Sequence, residues 1–292
     1  MSERLVLNAG DYGLAVQKRA ELIMLSDIAG YVGADTCGCL LAIRQDQQEE
    51  ISLMIDIGTN GEMVLGNRER MVTCSTAAGP AFEGAKIECG MRGAAGAVDH
   101  VKYEDGKWNY TTVGNKPAVG LCGSGLIDLV AGLLDAGMLD ENGVLRSGQE
   151  KQGVFILVPP ERGGNERGVY LTQKDLGEVQ LAKAAIAAGI QMLMERLGIT
   201  EDDICSVYIA GAFGNYMDPV SAGKIGLFPA TLVKKVKPVG NAAGEGAKIA
   251  LVNEKEMLEM DELVRKIEFV ELAASADFQD HFIDELGFET GE

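Results

Sequence analysis

The segment Leu53–Glu62 contains the residues whose types and spacing are best suited to chemistry. An apolar run ends near the carboxylate of Asp56, and a turn of small residues follows at once from Gly58 to Gly61. Such a turn offers backbone N–H groups and a hydroxyl to a phosphate, with Asp56 placed for a hydrated Mg²⁺. The same residues also suit an ordinary hairpin in which Asp56 caps the turn. The segment therefore predicts either a phosphate site or a structural turn.

Two further loops of small residues accompany apolar runs. Gly120–Asp128 opens a predicted helix, and the backbone N–H groups at a helix N-terminus bind anions. It is not a P-loop, because no lysine follows the glycines, nor a dinucleotide fingerprint, because Asp128 occupies the third glycine position. Tyr208–Asn215 follows a buried strand, and its Gly211 and Gly214 would let an adenosine lie flat on the backbone. Close helix–strand packing explains the second loop equally well, but the three loops together are more specific than any one.

Glycine is unevenly distributed along the chain. The sequence has 38 glycines in 292 residues, and 17 of them lie between Gly58 and Gly148. There is no Gly-X-Y repeat and there are only 7 prolines, which excludes collagen and a loose linker. The window contains the first two loops, so many of these glycines are expected in tight turns or close backbone contacts.

The chain is strongly acidic. Lys and Arg number 26 against 44 Asp and Glu, a net charge of −18. A nucleic-acid partner is excluded because binding it requires a basic surface. Residues 254–292 hold 13 acidic and 3 basic residues, which suits solvated helix faces or a surface that attracts a positively charged partner.

The six cysteines indicate a reduced protein without a metal motif. They stand at 37, 39, 74, 89, 122 and 205, with no C-x-x-C pair, zinc spacing or plant-type iron–sulfur run. Cys37 and Cys39 are predicted to be small buried residues. No signal peptide is visible, and the longest apolar helical segment, Leu181–Met194, is too short to cross a bilayer. A cytoplasmic protein with no membrane partner is expected.

Periodicity and turn signals predict alternating strands and helices. Asn60-Gly61 is a strong hairpin signal, and Thr172 with Asp175 predicts a capping box before the longest helix, which Gly198 ends. Predicted strands are 21–27, 51–57, 62–66, 70–76, 98–103, 108–113, 154–158, 207–210 and 267–272. Predicted helices are 34–44, 80–91, 173–197, 241–260 and 276–286, with another capped by Ser124 and Gly137. This order favours two α/β lobes that face each other.

These motifs resemble those of a known ATPase superfamily, which contains acetate kinase, sugar kinases, heat-shock chaperones and actin. Asp56–Glu62 resembles its first phosphate motif, Gly120–Gly125 its second and Gly211–Gly214 its adenosine motif. Gly79–Gly93, together with Ile28–Asp35, resembles the C-terminal ATPase domain of reductive activators of corrinoid proteins. The similarity extends from about residue 20 to 260.

The resemblance implies an α/β fold of two facing actin-like (ribonuclease H-like) lobes with a nucleotide cleft between them. Residues 1–292 would form a single ATPase domain. Its first lobe would cover about 20–119 and its second about 120–260, followed by an acidic C-terminal segment over 261–292.

The resemblance also implies a function. Family members use ATP with Mg²⁺ to help return an inactive Co(II) corrinoid to Co(I), the state needed for methyl transfer. The implied partners are a corrinoid protein of a methyltransferase system and a [2Fe–2S] domain or ferredoxin-like electron donor. Family members are homodimers with a [2Fe–2S] domain N-terminal to the ATPase domain.

The resemblance assigns roles to particular residues of the three loops. Phosphates and Mg²⁺ would be held by Asp56, Gly58, Thr59, Asn60 and Gly61, with Asp56 as the metal and catalytic carboxylate. The phosphates would be faced from the other lobe by Gly123, Ser124 and Gly125. The adenosine would be backed by Gly211, Ala212, Phe213 and Gly214.

The chain departs from the family pattern in two ways. It has no iron–sulfur ligand set, so we expect no cluster in this chain and a redox module that lies elsewhere. The second phosphate motif lacks the leading aspartate of the superfamily, which leaves Glu83 and Asp128 as candidates to activate water. Lys86 and Arg92 would support phosphates or pair with Glu83 and Glu88.

Three other functions are compatible with the residues. The first is a small-molecule kinase of the same superfamily, and the second is a nucleotide switch without significant turnover. The third is the related activator of acyl-CoA dehydratases, which would need cysteines for a [4Fe–4S] cluster at a dimer interface.

Overall fold

A computed structural model describes residues 4–146, 153–211, 214–273 and 275–288. The helices are α1 (Ala34–Ile43), α2 (Gly123–Asp135), α3 (Gln173–Leu197), α4 (Pro219–Lys224), α5 (Ala242–Val252), α6 (Glu254–Val264) and α7 (Ala276–Asp284). The strands are β1 (Leu5–Asn8), β2 (Glu21–Met24), β3 (Ile51–Ile57), β4 (Gly61–Gly66), β5 (Met71–Thr76), β6 (Ala97–Glu104), β7 (Lys107–Thr112), β8 (Gly120–Leu121), β9 (Val154–Val158), β10 (Val169–Thr172), β11 (Ile204–Ala210), β12 (Val236–Gly240) and β13 (Glu268–Phe269).

A six-stranded mixed sheet in the order β12-β11-β3-β4-β5-β13 forms the centre of the fold. The hairpin strands β3, β4 and β5 are antiparallel, whereas β11 runs parallel to both β3 and β12. The sheet takes strands from both sides of residue 120, where the sequence analysis placed the lobe boundary. The carboxyl ends of β3 and β11 therefore lie side by side at one edge.

Helices cover both faces of this sheet because its inner strands are apolar on both faces. Along β3, Leu53 and Ile55 join one apolar cluster with α3, whereas Met54 joins a second with α1, α5 and α6. Successive side chains of a strand point to opposite faces, so the continuous apolar run of β3 requires two covering layers. The mixed α/β class predicted from the sequence is confirmed.

The longest helix, α3, has the ends that the sequence predicts. Thr172 and Asp175 form a reciprocal capping box, and Gly198 ends the helix with a φ of 70°. Both features are local. At the start of the helix, the two side chains bond backbone groups within the first turn. At its end, glycine adopts left-handed backbone angles freely. No helix in the described part of the chain is both long and apolar enough to span a membrane.

A smaller sheet in the order β7-β6-β8 packs against α2. The β6–β7 turn has positive φ at Asp105 (51°) and Gly106 (74°), as the Asp-Gly pair predicts. The ring of Trp108 lies 4.8 Å, between centroids, from that of Phe155. An added Cβ at Gly132 of α2 would lie 2.8 Å from Trp108, so the hairpin packs closely on the helix.

The predicted helix over 80–91 is wrong. Only Pro80–Glu83 forms a single 3-10 turn. The chain reverses at Gly84, where φ is 80°, and an added Cβ at Gly90 would lie 2.1 Å from the Gly84 carbonyl oxygen. The two glycines allow a compact loop in which their backbones touch, and a regular helix cannot make that contact.

Several smaller predictions also differ from the structure. The strands β1, β8, β10 and β12 were not predicted, and the predicted C-terminal strand is too long, since β13 covers only Glu268–Phe269. Helix α2 has Cys122 as its N-cap and Ala136 as its C-cap, so the predicted caps are each displaced along the chain. Short strands and helix ends are set by pairing and packing that local sequence does not specify.

Candidate functional site

The β3–β4 hairpin presents the first candidate loop at the edge of the main sheet. Asp56 is the penultimate residue of β3, and its neighbour Ile57 pairs with Gly61 across the hairpin. Inside the loop, the Gly58 N–H donates to the Asn60 carbonyl at 2.9 Å. The predicted hairpin is therefore confirmed, with Asp56 directly before its turn.

Glu83 is brought to this loop from further along the chain. The Thr59 hydroxyl donates to Glu83 Oε1 at 3.2 Å, and the Gly79 N–H donates to the Thr59 carbonyl at 2.8 Å. An added Cβ at Gly58 would lie 3.5 Å from Glu83 Oε1. The structure thus places Glu83, one of the two candidates for water activation, directly over the small-residue turn.

The third candidate loop meets the first at the ends of the parallel strands. Ala210 of β11 lies beside Asp56 in the strand register, and Gly211 follows with a φ of 91°. An added Cβ at Gly211 would lie 3.0 Å from Asp56 Oδ1. The Gly211 N–H donates to the Gly240 carbonyl at 2.9 Å, which fixes this backbone against β12. The glycine is required here by both its backbone angle and the adjacent carboxylate.

Gly214 closes the third loop over the end of β11. An added Cβ there would lie 2.8 Å from the Ile209 carbonyl oxygen, so the loop returns onto its own strand. The other two residues assigned to this loop, Ala212 and Phe213, lie outside the described residues.

Acidic groups dominate the electrostatics around Asp56. Burial raises the pKa of Asp56, the negative charge of Asp35 raises it further, and a hydrogen bond from Cys39 opposes both. Burial likewise raises the pKa of Glu62, with smaller contributions from Asp35 and Asp56, while a hydrogen bond from Ser75 lowers it. Half-buried carboxylates that repel one another favour a bound cation.

The oxygen donors at this edge fit a hydrated Mg²⁺ ion. Within the described ranges, no three or more His, Cys, Asp or Glu side chains converge into a direct metal-binding group. Mg²⁺ commonly keeps several water ligands and is held by one or two carboxylates and the phosphates of a nucleotide. Asp56 at the strand end is suited to that role.

Some glycines of the first two loops serve packing. An added Cβ at Gly61 would lie 3.1 Å from Ile186 of α3, and one at Gly125 would lie 2.2 Å from the Val98 carbonyl oxygen. The Ser124 hydroxyl is buried and donates to the Asp99 carbonyl at 2.8 Å. Packing therefore accounts for these small residues, as the alternative interpretation of the second loop predicted.

The second loop is joined to the first through the segment 79–93. The Met91 N–H donates to the Leu121 carbonyl at 2.8 Å, and the Leu121 N–H donates to the Cys89 carbonyl at 2.7 Å. The same segment begins with the turn that carries Glu83. Helix α2 begins at Gly123, and within the described structure its first turn has no side-chain cap from Cys122. The N–H groups of this turn are therefore not used by the N-cap side chain.

The other acidic candidate, Asp128, is held by different elements. Its Oδ2 accepts from the Val101 N–H at 3.3 Å and lies 3.1 Å from His100 Nδ1. It also lines a pocket of about 250 Å³ between β6, α2 and α4, together with Asp218 and Lys224. These contacts favour Glu83 over Asp128 as the carboxylate of the β3–β4 loop.

The predicted pairing of Lys86 with Glu83 or Glu88 is wrong. Lys86 has a φ of 65° and its Nζ lies 3.3 Å from Glu178 Oε2 on α3. The left-handed backbone turns this side chain toward α3.

Helix α1 contributes two residues that the site assignments from sequence did not include. Cys39 is fully buried, as predicted, but its Sγ donates to Asp56 Oδ2 at 3.7 Å. Asp35 stands one helical turn earlier and supplies the charge that acts on Asp56. Their spacing of four residues indicates a shared helix face, yet only the packing of α1 on the sheet shows which strand that face meets.

Comparisons with known proteins identify the family of this chain. A family described as the C-terminal domain of RACo, the ASKHA domain, matches residues 50–292. The chain belongs to this family. The actin-like α/β fold and the resemblance to reductive activators of corrinoid proteins are thereby confirmed.

Individual relatives are longer than this chain. This chain is 36% identical to RamQ, a corrinoid activation enzyme of Eubacterium limosum, and the aligned region covers 95% of this chain and 49% of the relative. This chain is also 29% identical to a [Co(II) methylated amine-specific corrinoid protein] reductase of Methanosarcina barkeri. That aligned region covers 96% of this chain and 54% of the reductase. A solved reductive activator for corrinoid, iron–sulfur protein superposes with a TM-score of 0.90 at 37% identity, over 97% of this chain and 47% of that one. The chain thus spans about half the length of these relatives.

Proposed function

We propose that this chain is the Mg-ATP-binding and hydrolysing part of a reductive activator, which helps return Co(II) corrinoid proteins to Co(I) for methyl transfer. The observation that carries the proposal is the meeting of two loops at one sheet edge. Gly211 of the proposed adenosine loop abuts the Asp56 carboxylate at the start of the proposed phosphate loop. The names of the relatives, all activators or reductases of corrinoid proteins, support the same role.

The proposed phosphate loop would supply hydrogen-bond donors for the phosphates and a carboxylate for Mg²⁺. The backbone of Gly58, Thr59 and Asn60 would contact phosphates, and the second loop at Gly123 would offer further N–H groups from its helix N-terminus. Asp56 would hold Mg²⁺ through its water shell. When bound, Mg²⁺ neutralises the charge that the phosphates and the nearby carboxylates share.

Glu83 is assigned the role of orienting and deprotonating the attacking water. Its carboxylate already accepts a hydrogen bond from Thr59 at 3.2 Å, which holds it over the loop where the phosphates would lie. A general base must stand within hydrogen-bond reach of the proton that it takes. Thr59 would release or share this bond when nucleotide binds.

The partners follow from the same proposal. A corrinoid protein of a methyltransferase system would dock on the nucleotide-bound chain, and a [2Fe–2S] domain or ferredoxin-like protein would deliver the electron. The activator would act in the cytoplasm as a homodimer. Nucleotide binding would change the chain's conformation and so favour the reducible form of the corrinoid.

The first test measures nucleotide binding and turnover by this chain. Isothermal titration calorimetry with Mg-ATP should show binding that Asp56→Asn abolishes or weakens by at least about tenfold, as loss of a charged ligand predicts. Asp202→Asn is the matched control, because Asp202 is exposed and precedes the opposite end of β11. Binding that tolerates Asp56→Asn as well as Asp202→Asn would contradict the assigned site.

The second test addresses the partner and the reaction. ATP hydrolysis should rise when a Co(II) corrinoid protein is added, and Glu83→Gln should lower turnover more than it lowers nucleotide affinity. Unchanged turnover and no complex with corrinoid proteins would reject the activator role. Phosphoryl transfer to an acid or sugar acceptor would instead identify a small-molecule kinase.

A further inference from the structure

The Cys39 thiol of α1 donates a hydrogen bond to the Asp56 carboxylate. Its Sγ lies 3.7 Å from Asp56 Oδ2, within the range of a sulfur hydrogen bond. Of the two groups, the thiol carries the hydrogen, so Cys39 acts as the donor. A carboxylate that is ionised can only accept, so the direction of the bond is defined.

The helix that carries this thiol is locked in position. An added Cβ at Gly38 would lie 2.8 Å from the Ala243 carbonyl oxygen of α5, and one at Gly246 would lie 1.9 Å from the Gly38 carbonyl oxygen. The backbones of α1 and α5 therefore touch where they cross. With both helices in contact, the position of the Cys39 thiol relative to β3 is determined by the backbone and cannot shift as a long side chain would.

Asp56 is thus confined on two sides by groups from different elements. Cys39 approaches Oδ2 from α1, and the Gly211 backbone approaches Oδ1 from the loop after β11. One oxygen is held by a donor and the other faces the proposed nucleotide loop. Under the proposed function, Oδ1 would face the water shell of the metal.

We propose that Cys39 is a positioning residue that holds the Asp56 carboxylate, through a hydrogen bond to Oδ2, in the orientation that receives Mg-ATP. The inference rests on the proposed function, since it concerns the same site. It assigns a positioning role to a thiol that packing alone would make a small buried residue. In the described part of the chain, Asp35 and Glu62 also interact with the charge of Asp56, and they repel it, so they cannot replace the bond.

Cys37 provides a matched control on the same helix. It is also fully buried, and its Sγ donates to the Ser26 carbonyl at 2.9 Å, away from Asp56. Cys37→Ala and Cys39→Ala remove the same atoms from two equally buried positions. A purely structural role predicts similar effects of the two substitutions on nucleotide binding.

The functional readout is the Mg²⁺ concentration at which ATP binding is half-maximal. Cys39→Ala should raise it about threefold to tenfold, the value of one hydrogen bond, while ATP affinity at saturating Mg²⁺ changes less. Cys39→Ser keeps a donor and should recover part of the loss, whereas Cys37→Ala should leave the Mg²⁺ requirement unchanged. Equal effects of Cys37→Ala and Cys39→Ala, or no rescue by serine, would overturn the inference.

A second measurement reads the contact without nucleotide. Urea unfolding of Cys39→Ala, Asp56→Asn and the double variant forms a double-mutant cycle, which should give a non-zero coupling between the two residues. If the wild-type chain binds Mg-ATP but the cycle gives zero coupling, the role of Cys39 is overturned and the proposed function is not. A wild-type chain that binds no Mg-ATP overturns the proposed function and this role together.

Discussion

Gly211→Ala tests the central feature of the proposed site, the contact between the third loop and Asp56. The substitution adds one methyl group at a residue with a φ of 91°, where its Cβ would lie 3.0 Å from Asp56 Oδ1. Two costs therefore combine, the left-handed backbone angle of an alanine and the crowding of a carboxylate. The methyl group cannot move freely because the Gly211 N–H is bonded to Gly240, and the Asp56 carboxylate is held by the Cys39 thiol.

The size of the effect follows from these two costs. A left-handed angle costs a residue with a Cβ roughly 1–2 kcal/mol. Crowding in a packed site adds about 1–3 kcal/mol, so the total loss of unfolding free energy is about 2–5 kcal/mol. For a chain of this length that corresponds to a fall in Tm of about 3–8 °C.

Two comparisons separate strain from contact. Gly198→Ala has a similar angle, with a φ of 70°, but among the described residues nothing lies within 4 Å of its added Cβ. It should cost only the strain, about 1–2 kcal/mol, and leave Mg-ATP affinity unchanged. Adding Asp56→Ala to Gly211→Ala should recover about 1 kcal/mol or more, since the crowded group is removed.

Differential scanning calorimetry and Mg-ATP titration measure both consequences. Gly211→Ala should lose at least about tenfold in Mg-ATP affinity, because the methyl group occupies the space beside the metal carboxylate. The reasoning is refuted if Gly211→Ala and Gly198→Ala lose equal stability and both keep wild-type affinity. It is also refuted if removal of the Asp56 carboxylate gives no recovery.

Three further predictions concern the loop and its supporting helices. Asp56→Asn should raise the free energy of unfolding at neutral pH, as measured by urea unfolding. Folding raises the pKa of Asp56 above its ordinary value of 3.8, so wild-type stability falls as the pH rises from that value through the pKa of the folded protein. A difference in stability between the two proteins that does not change with pH would contradict this. Thr59→Val should weaken Mg-ATP binding without lowering Tm appreciably, since it removes an exposed hydroxyl whose hydrogen bond in the described structure is to Glu83. Unchanged affinity in calorimetry would remove Thr59 from the site. Gly246→Ala should lower the free energy of unfolding by about 3 kcal/mol or more, because its Cβ would overlap α1. Gly177→Ala has open space around its Cβ in the described structure and should raise that free energy by about 0.5–1 kcal/mol. Urea unfolding that ranks the two variants the other way would refute the packing argument.

The elements that sequence predicted well are those determined by short-range chemistry. The Asn60-Gly61 pair marks the β3–β4 hairpin, with Asn60 in the turn and Gly61 as the first residue of β4, and the reciprocal bonds of Thr172 and Asp175 begin α3. Each signal involves residues within a few positions of one another. Such contacts form in the same way wherever the segment lies in the fold.

The elements that sequence missed depend on contacts between distant segments. The stretch from Pro80 to Met91 has enough apolar residues for a helix, but the backbones of Gly84 and Gly90 pack against each other and form a loop. The strand β12 has Lys237 and Pro238 in its middle and forms as the edge strand beside β11. Pairing with a formed neighbour compensates for a sequence that favours no strand by itself.

The candidate site was predictable in its loops and not in its surroundings. Asp56 and Gly211 could be proposed from their positions after buried strands, and the parallel register of β3 and β11 brings them together. Glycine content alone could not separate Gly211, which faces a carboxylate, from Gly125, which packs on a strand. The approach of Cys39 from α1 required the three-dimensional packing of that helix on the sheet.

The charges at this edge explain why nucleotide binding should be inseparable from a cation. Asp35, Asp56 and Glu62 act on one another, and Glu83 stands over the adjacent turn, so a free polyphosphate would meet repulsion from the protein. The backbone N–H groups of the loop offer only partial positive charge, which cannot offset several carboxylates in a half-buried position. A divalent cation that arrives with the nucleotide reverses this balance, because it binds the carboxylates and the phosphates at once. Under the proposed function, the acidic edge would therefore select for the Mg-nucleotide complex against the free nucleotide, through charge that α1, β4 and the Pro80–Glu83 turn place around the end of β3.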